Sequence, residues 1–398
     1  MTVLQTDLPK LIIRNKPLLP IVQGGMGVGI SAHRLAGNVA HLGGMGTISS
    51  VDLRRHHPDL MAQTGDSRDK EAINAANLVA LDREIRAARQ LAQGNGMVAV
   101  NIMRAVADYA AYVRQSCESG ADAIVVGAGL PMDLPELAAD FPNVALIPIL
   151  SDVRGIGLIL KKWMRRDRLP DAIVIENPRY AAGHLGAATL EGVNDAHFAF
   201  SVVIEGTLAL FDQLGIARDR IPLIAAGGIH TPEQVRDLLA LGASAVQLGT
   251  AFAVTKEGDA HENFKRVLVG AKPDDIVTFM SCAGLPARAV RTPWLTRYLE
   301  KEEKLQSKAA PKECTVGFDC LHQCGWRDGL AKAGQFCIDT QLAFALEGDL
   351  ERGLFFRSSE PLPFGSALHS VRDLMDYLLH GVQPAAQHQA CQPVEQAA

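Results

Sequence analysis

Residues 222–252 read PLIAAGGIHTPEQVRDLLALGASAVQLGTAF. Two short apolar runs, Pro222–Gly228 and Ala245–Thr250, each finish on or beside glycine, and a segment punctuated as a helix joins them. Thr231 stands as an N-cap, Pro232 takes the first helical position, Gln234 follows three residues after the cap, and Gly242 ends the run VRDLLALG. Strand, helix and strand in so short a span make a βαβ unit. The near-continuous apolar strands suit a parallel sheet buried on both faces.

Working outward, six more runs of the same kind appear: LLPIVQGG from Leu18, GGMGTISS from Gly43, MVAVNIM from Met97, AIVVGAG from Ala123, ALIPILS from Ala145 and DAIVIEN from Asp171. Eight such strands close into a (β/α)8 TIM barrel. An open doubly wound sheet is the alternative, but glycine-rich turns recur at the strand ends throughout, as a barrel mouth requires. Apolar residues between Glu71 and Gln93 fall mostly on one helical face. The polar stretch before it, HHPDLMAQTGDSRDK (56–70), reads as a loop over the barrel mouth. After about residue 290 the βα rhythm stops. The chain therefore divides into a barrel (1–299), a Cys-containing C-terminal extension (300–380) and a Gln-, Ala- and Pro-rich flexible tail (381–398). Within the extension, 300–313 is charged and reads as a linker or exposed helix, and SSEPLPFGS as a loop returning to the barrel.

At 398 residues, 48% hydrophobic and 21% charged, the chain has ample material for a barrel core. Its net charge, 39 − 44 = −5, offers no general attraction to nucleic acid or anionic membrane. The first residues lack a signal-peptide pattern, and no apolar run is long enough to span a membrane, so a cytoplasmic protein is expected. The expected partner is a small-molecule substrate; the oligomeric state is left open.

Barrel enzymes commonly bind phosphate with the loops after the seventh and eighth strands. Those loops are Ala226-Gly227-Gly228-Ile229 and Gln247-Leu248-Gly249-Thr250, with glycines that let backbone N–H groups approach an anion and a threonine hydroxyl beside them. The loop Gln23-Gly24-Gly25-Met26-Gly27 leaves the first strand at the same mouth, where small residues admit a planar ring and Met26 gives it apolar contact. Asn101, ending the third strand, and Gly127-Ala128-Gly129, ending the fourth, point to the same cavity. A plain turn explains each glycine pair taken alone, and a capping role explains Asn101 equally well.

The segments IVQGGMGVG (21–29), AAGHLGA (181–187), 222–252 and GLPARAVRT (284–292) together resemble the nitronate monooxygenase family, formerly 2-nitropropane dioxygenases. Relatives of that family include FMN-dependent enoyl-acyl-carrier-protein reductases and NADH:quinone reductases. The resemblance spans roughly residues 15–295. It implies a barrel with FMN at its C-terminal mouth, held by the glycine loops above together with Gly183. It also implies a catalytic histidine, His184, on the substrate side of the flavin. Here the loop reads Tyr180-Ala181-Ala182-Gly183-His184, without the acidic residue and second glycine of the family's Glu-Ala-Gly-Gly-His. An imidazole titrates near neutrality and can move a proton to or from a substrate carbon; the alternative is a histidine capping a loop carbonyl. The implied reaction is oxidation of alkyl nitronates with O2 to carbonyl compound and nitrite. The alternatives are an NAD(P)H-dependent reductase of quinones or enoyl thioesters, and a flavin-binding protein without turnover.

Cys314, Cys320, Cys324 and Cys337 lie within 24 residues, with His322 among them, whereas Cys117, Cys282 and Cys391 are scattered. The cluster is expected to come together and to bind zinc or an iron–sulfur cluster, or else to be a set of buried thiols. The x3 and x12 spacings resemble those of iron–sulfur flavoenzymes related to dienoyl-CoA reductase.

Overall fold

The computed structural model describes residues 3–384. All eight expected strands form: Ile21–Gln23, Met45–Ser49, Met97–Met103, Ala123–Gly127, Ala145–Leu150, Ile173–Glu176, Leu223–Ala226 and Ala245–Leu248. They pair in parallel, in chain order, and the eighth returns to the first in the register Val246↔Ile21. The sheet is a closed (β/α)8 barrel, not an open one. Val22, Ala99, Val125, Ile147, Val174 and Ala245 point inward and belong to one apolar cluster that fills the barrel. The first and second strands share a single register pair, Val22↔Met45. The buried Gln23 side chain bridges the gap beyond it, accepting from Thr47 N at 2.9 Å and donating to Thr47 O at 3.0 Å.

Helix punctuation is as the sequence reads. Thr231 Oγ1 accepts from Gln234 N at 3.2 Å while Gln234 Oε1 accepts from Thr231 N, and Gly242 caps the other end with φ at 114°. The helix Lys70–Ala92 buries Ile73, Ala80, Leu81, Ile85 and Ala88. Residues 56–70 correct the sequence reading: they are not a loop over the mouth but hold a helix, Pro58–Thr64, and they do not line the mouth's cavity. Proline at the first helical position starts it. The buried Arg54 guanidinium then anchors its end through Thr64 O (2.8 Å) and Oγ1 (2.9 Å).

Two small sheets flank the barrel. The strands Leu11–Ile13 and Lys16–Leu18 form an antiparallel hairpin turning on Arg14 and Asn15, and Leu11, Ile13 and Leu18 plug the barrel's interior cluster. At the mouth, Ile276–Met280, Pro286–Val290 and Gly183–His184 form a three-stranded antiparallel sheet. The extension contributes the helices Glu302–Ser307, Ile338–Leu346 and Val371–His380. The last of these buries Leu374, Met375 and Leu378 in the main core. Of the expected tail, 385–398 lie outside the described residues.

Candidate functional site

Side chains alternate along a strand, so two residues beyond each barrel-filling side chain another must point inward at the barrel's upper rim. Two beyond Val22 comes Gly24; beyond Ala99, Asn101; beyond Val125, Gly127; beyond Val174, Glu176; beyond Ile224, Ala226; beyond Ala245, Gln247. With Ser49 and Ile149 these rim residues border a single cavity of about 680 Å³ at the C-terminal mouth. All thirteen residues singled out from sequence for cofactor binding or catalysis line it: Gly24, Gly25, Met26, Asn101, Gly127, Gly183, His184, Ala226, Gly227, Gly228, Gln247, Gly249 and Thr250.

At two positions of the glycine loops a side chain would clash. A Cβ on Gly25 would stand 2.3 Å from Asn101 Cβ, so the first loop lies directly on the third strand's end. Gly228 has φ at +77°, and a Cβ there would meet Tyr180 at 2.8 Å and Glu360 at 3.1 Å. Thr250 keeps its hydroxyl at the cavity wall, where its Oγ1 accepts from Ser358 N at 3.1 Å. That bond comes from the extension, whose residues Phe356, Ser358, Glu360 and Leu362 wall the cavity beside the two glycine loops. On another side the wall is apolar and again from the extension, with Leu321, Ile338 and Leu342 beside Val51 and Met103 of the barrel.

His184 sits on the cavity wall in a short strand, paired with Ala287, which holds its backbone in place. Arg288, next along the partner strand and 5% exposed, donates to the carbonyls of Pro178 (3.2 Å) and Ala181 (2.5 Å) in the loop that leads to His184. The imidazole makes no hydrogen bond among the described residues, and its Nε2 is buried without a partner. It therefore does not cap a loop carbonyl. Burial pushes its pKa down to about 4, so the ring is neutral at physiological pH. A neutral, unengaged imidazole facing a cavity is able to accept a proton from a bound molecule.

Glu176 was not singled out from sequence. It is the rim's only ionisable residue, and burial raises its carboxyl to about pKa 7. Its place in a run reading IVIEN would have marked it, since an acid ending an otherwise apolar barrel strand must face the mouth or the helices. Ser49 and Ser50 were also missed; both line the cavity and their Oγ atoms are buried without partners. The arrangement fits a flavin: a rim of small and amide residues, glycine loops in which a side chain at Gly25 or Gly228 would clash, and buried polar atoms left without partners among the described residues.

The four clustered cysteines lie near one another but are otherwise engaged. Cys314 Sγ donates to Phe318 O at 3.1 Å, and Cys337 Sγ accepts from Thr340 Oγ1 at 3.2 Å. Cys324 pairs with the distant Cys282, whose thiol, with the N–H groups of Arg327 and Trp326, pulls Cys324 down to about pKa 6. Cys320 alone lines the cavity. Among the described residues no group of three or more His, Cys, Asp or Glu converges as a metal site. The expected zinc or iron–sulfur centre is not what this geometry builds, because the sulfurs turn to different partners.

The family model for nitronate monooxygenase matches residues 11–358. The chain belongs to the nitronate monooxygenase family. A probable nitronate monooxygenase of Staphylococcus saprophyticus is 26% identical over 301 residues, 72% of this chain and 79% of that protein. Among solved structures, FabK from Thermotoga maritima superposes with a TM-score of 0.63 at 23% identity, covering 90% of this chain and 91% of its own. A nitroalkane oxidase from Streptomyces ansochromogenes does so at 0.60 and 18%, covering 91% and 96%. These two likenesses show the shared fold. As a nitronate monooxygenase family member the protein is a flavin-dependent oxidoreductase, acting on small molecules with O2 or a reduced cofactor. No helix among the described residues is long and apolar enough to cross a membrane.

Proposed function

We propose that the protein oxidises alkyl nitronates with O2, yielding a carbonyl compound and nitrite, with FMN as its flavin. The residues that would hold FMN are Gly227, Gly228, Gly249 and Thr250 toward its phosphate, and Gly24, Gly25, Met26, Asn101, Gly127, Gly183, Ala226 and Gln247 toward its ribityl and ring portions. When bound, FMN supplies the electron-accepting chemistry that no amino-acid side chain can.

The observation that carries the reading is His184: a cavity-lining imidazole, neutral and with no protein partner, on a strand fixed by Arg288. Its neutrality lets it take the α-proton of a nitroalkane or hydrogen-bond the nitro group of a nitronate, while the extension walls the site on two sides. Arg288 holds the loop's carbonyls so that the ring meets substrate in one orientation.

The test is nitrite release. Purified protein supplied with FMN, air and a primary alkyl nitronate should form nitrite in step with nitronate loss, and should not oxidise NADH or NADPH alone. NAD(P)H oxidation coupled to a quinone or enoyl thioester, without nitrite from any nitronate, would replace this reading with the reductase. The apolar wall of Leu321, Ile338 and Leu342 is the feature that favours that second reading, because it would suit a longer apolar substrate.

A further inference from the structure

Glu176 ends the sixth barrel strand two residues beyond Val174, a barrel-filling side chain, so its carboxyl rises into the rim beneath the cavity. The other rim residues are Gly, Ser, Asn, Ile, Ala and Gln, none of which titrates. Among the described residues the carboxyl has no hydrogen bond and no ion pair. A buried carboxylate without a partner is costly to hold, and burial alone accounts for its raised pKa of about 7.

None of the charged groups on the neighbouring elements makes a hydrogen bond or ion pair with Glu176 among the described residues. On the fifth strand's side, Asp152 caps its helix through Gly155 N at 2.6 Å, and the exposed Arg154 lines the cavity; from the extension, Asp339, bonded to Arg55 at 3.1 Å and raised to about pKa 7, lines it too. In the loop that follows Glu176, Arg179 lies over the Tyr180 ring and His184 is neutral. Arg288, from the sheet above, is bound to loop carbonyls, and Glu360 of the extension lies against Gly228. The seventh strand faces Glu176 with Ala226. Among the described residues none makes an ion pair with Glu176, and no cation stands among the rim residues themselves.

We propose that Glu176 is the proton-exchanging group of the rim, its carboxyl meeting the flavin ring and binding one proton from solvent whenever negative charge arrives on that ring with electrons. The proton step is −COO⁻ + H⁺ → −COOH, reversed when the charge leaves; the electrons come from the substrate and go to the oxidant, and the carboxyl carries the proton alone. Added negative charge nearby raises a carboxyl's affinity for protons, and by linkage the bound proton favours the reduced ring. Among the described rim residues there is no cation, so this proton supplies positive charge at the rim itself. The inference rests on the cavity being the flavin site.

The measurement is the midpoint potential of the bound flavin against pH, in wild type and Glu176→Gln, together with proton uptake on anaerobic reduction read by an indicator dye. Above about pH 7, where the carboxyl is ionised before reduction, wild type should take up one proton per flavin more than the variant, and its potential should fall more steeply with pH. Below that pH the two should run parallel. Glu176→Ala serves as a second variant and should behave as Glu176→Gln does. Identical slopes and identical proton uptake, with flavin bound in both, would overturn the proposal and leave the flavin site standing. Protein that binds no flavin at all would overturn both.

Discussion

The rim of the barrel mouth and the cysteine-bearing extension face each other across one cavity, yet their titratable groups differ in what they touch. In and around the rim, Glu176, His184, Ser49 and Ser50 stand buried or nearly so with hydrogen-bonding capacity unused. In the extension the thiols and the main ion pair have protein partners: Cys324 with Cys282, Cys337 with Thr340, Cys314 with a backbone carbonyl, Arg55 with both Asp52 and Asp339, although Trp326 Nε1, Gln335 Oε1, Gln341 Oε1 and Asp339 Oδ2 are buried there without one. Unused buried polar groups are expensive, and a fold retains them where a ligand completes them. Groups satisfied by the protein itself do a structural job. The contrast supports the proposal that the chemistry belongs to the rim and the walls to the extension.

The largest effect should come from filling the rim's glycine cradle. Gly228→Asp adds a side chain where φ is +77° and Tyr180 stands 2.8 Å away, and sets a negative charge where a phosphate would lie. Flavin affinity should fall about 10²-fold or more, measured by flavin content after purification and by titration with free FMN. A full flavin complement in that variant would move the cofactor elsewhere.

Next is His184→Asn, which should lower turnover by about 10²- to 10⁴-fold with flavin content unchanged. Because burial holds His184 near pKa 4, any break near pH 7 in the kcat/KM profile should belong to Glu176, persisting in His184→Asn and vanishing in Glu176→Gln. Arg288→Met tests the same region one step back. Freed carbonyls at Pro178 and Ala181 should let the strand drift, reducing turnover about 10- to 10²-fold at full flavin content, with Arg288→Lys recovering part of it.

On the extension side the expected effects concern stability. Burial and the neighbouring Asp52 raise Asp339 to about pKa 7. A carboxyl raised in the folded state favours folding while protonated, and that contribution is lost as pH rises from about 4 through about 7. Asp339→Asn should therefore gain stability relative to wild type, by about 1–3 kcal/mol, as pH climbs through that window, read from denaturant midpoints. Smallest of all, Cys314→Ser and Cys337→Ser should shift stability by no more than about 0.5 kcal/mol, and a chelator should leave the melting temperature unchanged. A large loss from either would show that the cysteines do converge on a ligand.

How far the sequence discloses this molecule follows from how local each signal is. A βαβ unit is written in a few dozen consecutive residues, so Thr231, Pro232 and Gly242 locate the helix and the strands on either side without outside help. The rim residues are legible for the same reason, since strand ends and their glycines fix which residues face the mouth. Glu176 was equally local and was passed over, because glycine and asparagine drew the reading toward phosphate and ring contacts. The cysteine cluster misleads for the opposite reason: proximity along the chain says nothing about where each sulfur turns, and the partner of Cys324 is Cys282, more than forty residues away. The helix at 58–64 was hidden by polar composition, its stability coming from Arg54, a tertiary anchor.

The most direct test of the central claim is a single anaerobic mixing experiment. Flavin-loaded protein is combined with an excess of alkyl nitronate, and the flavin absorbance is followed in wild type and in His184→Asn. The account predicts rapid bleaching of the flavin in wild type and much slower or absent bleaching in the variant, with the flavin still bound in both. Flavin that stays oxidised with nitronate but bleaches with NADH or NADPH, equally in both proteins, would contradict it.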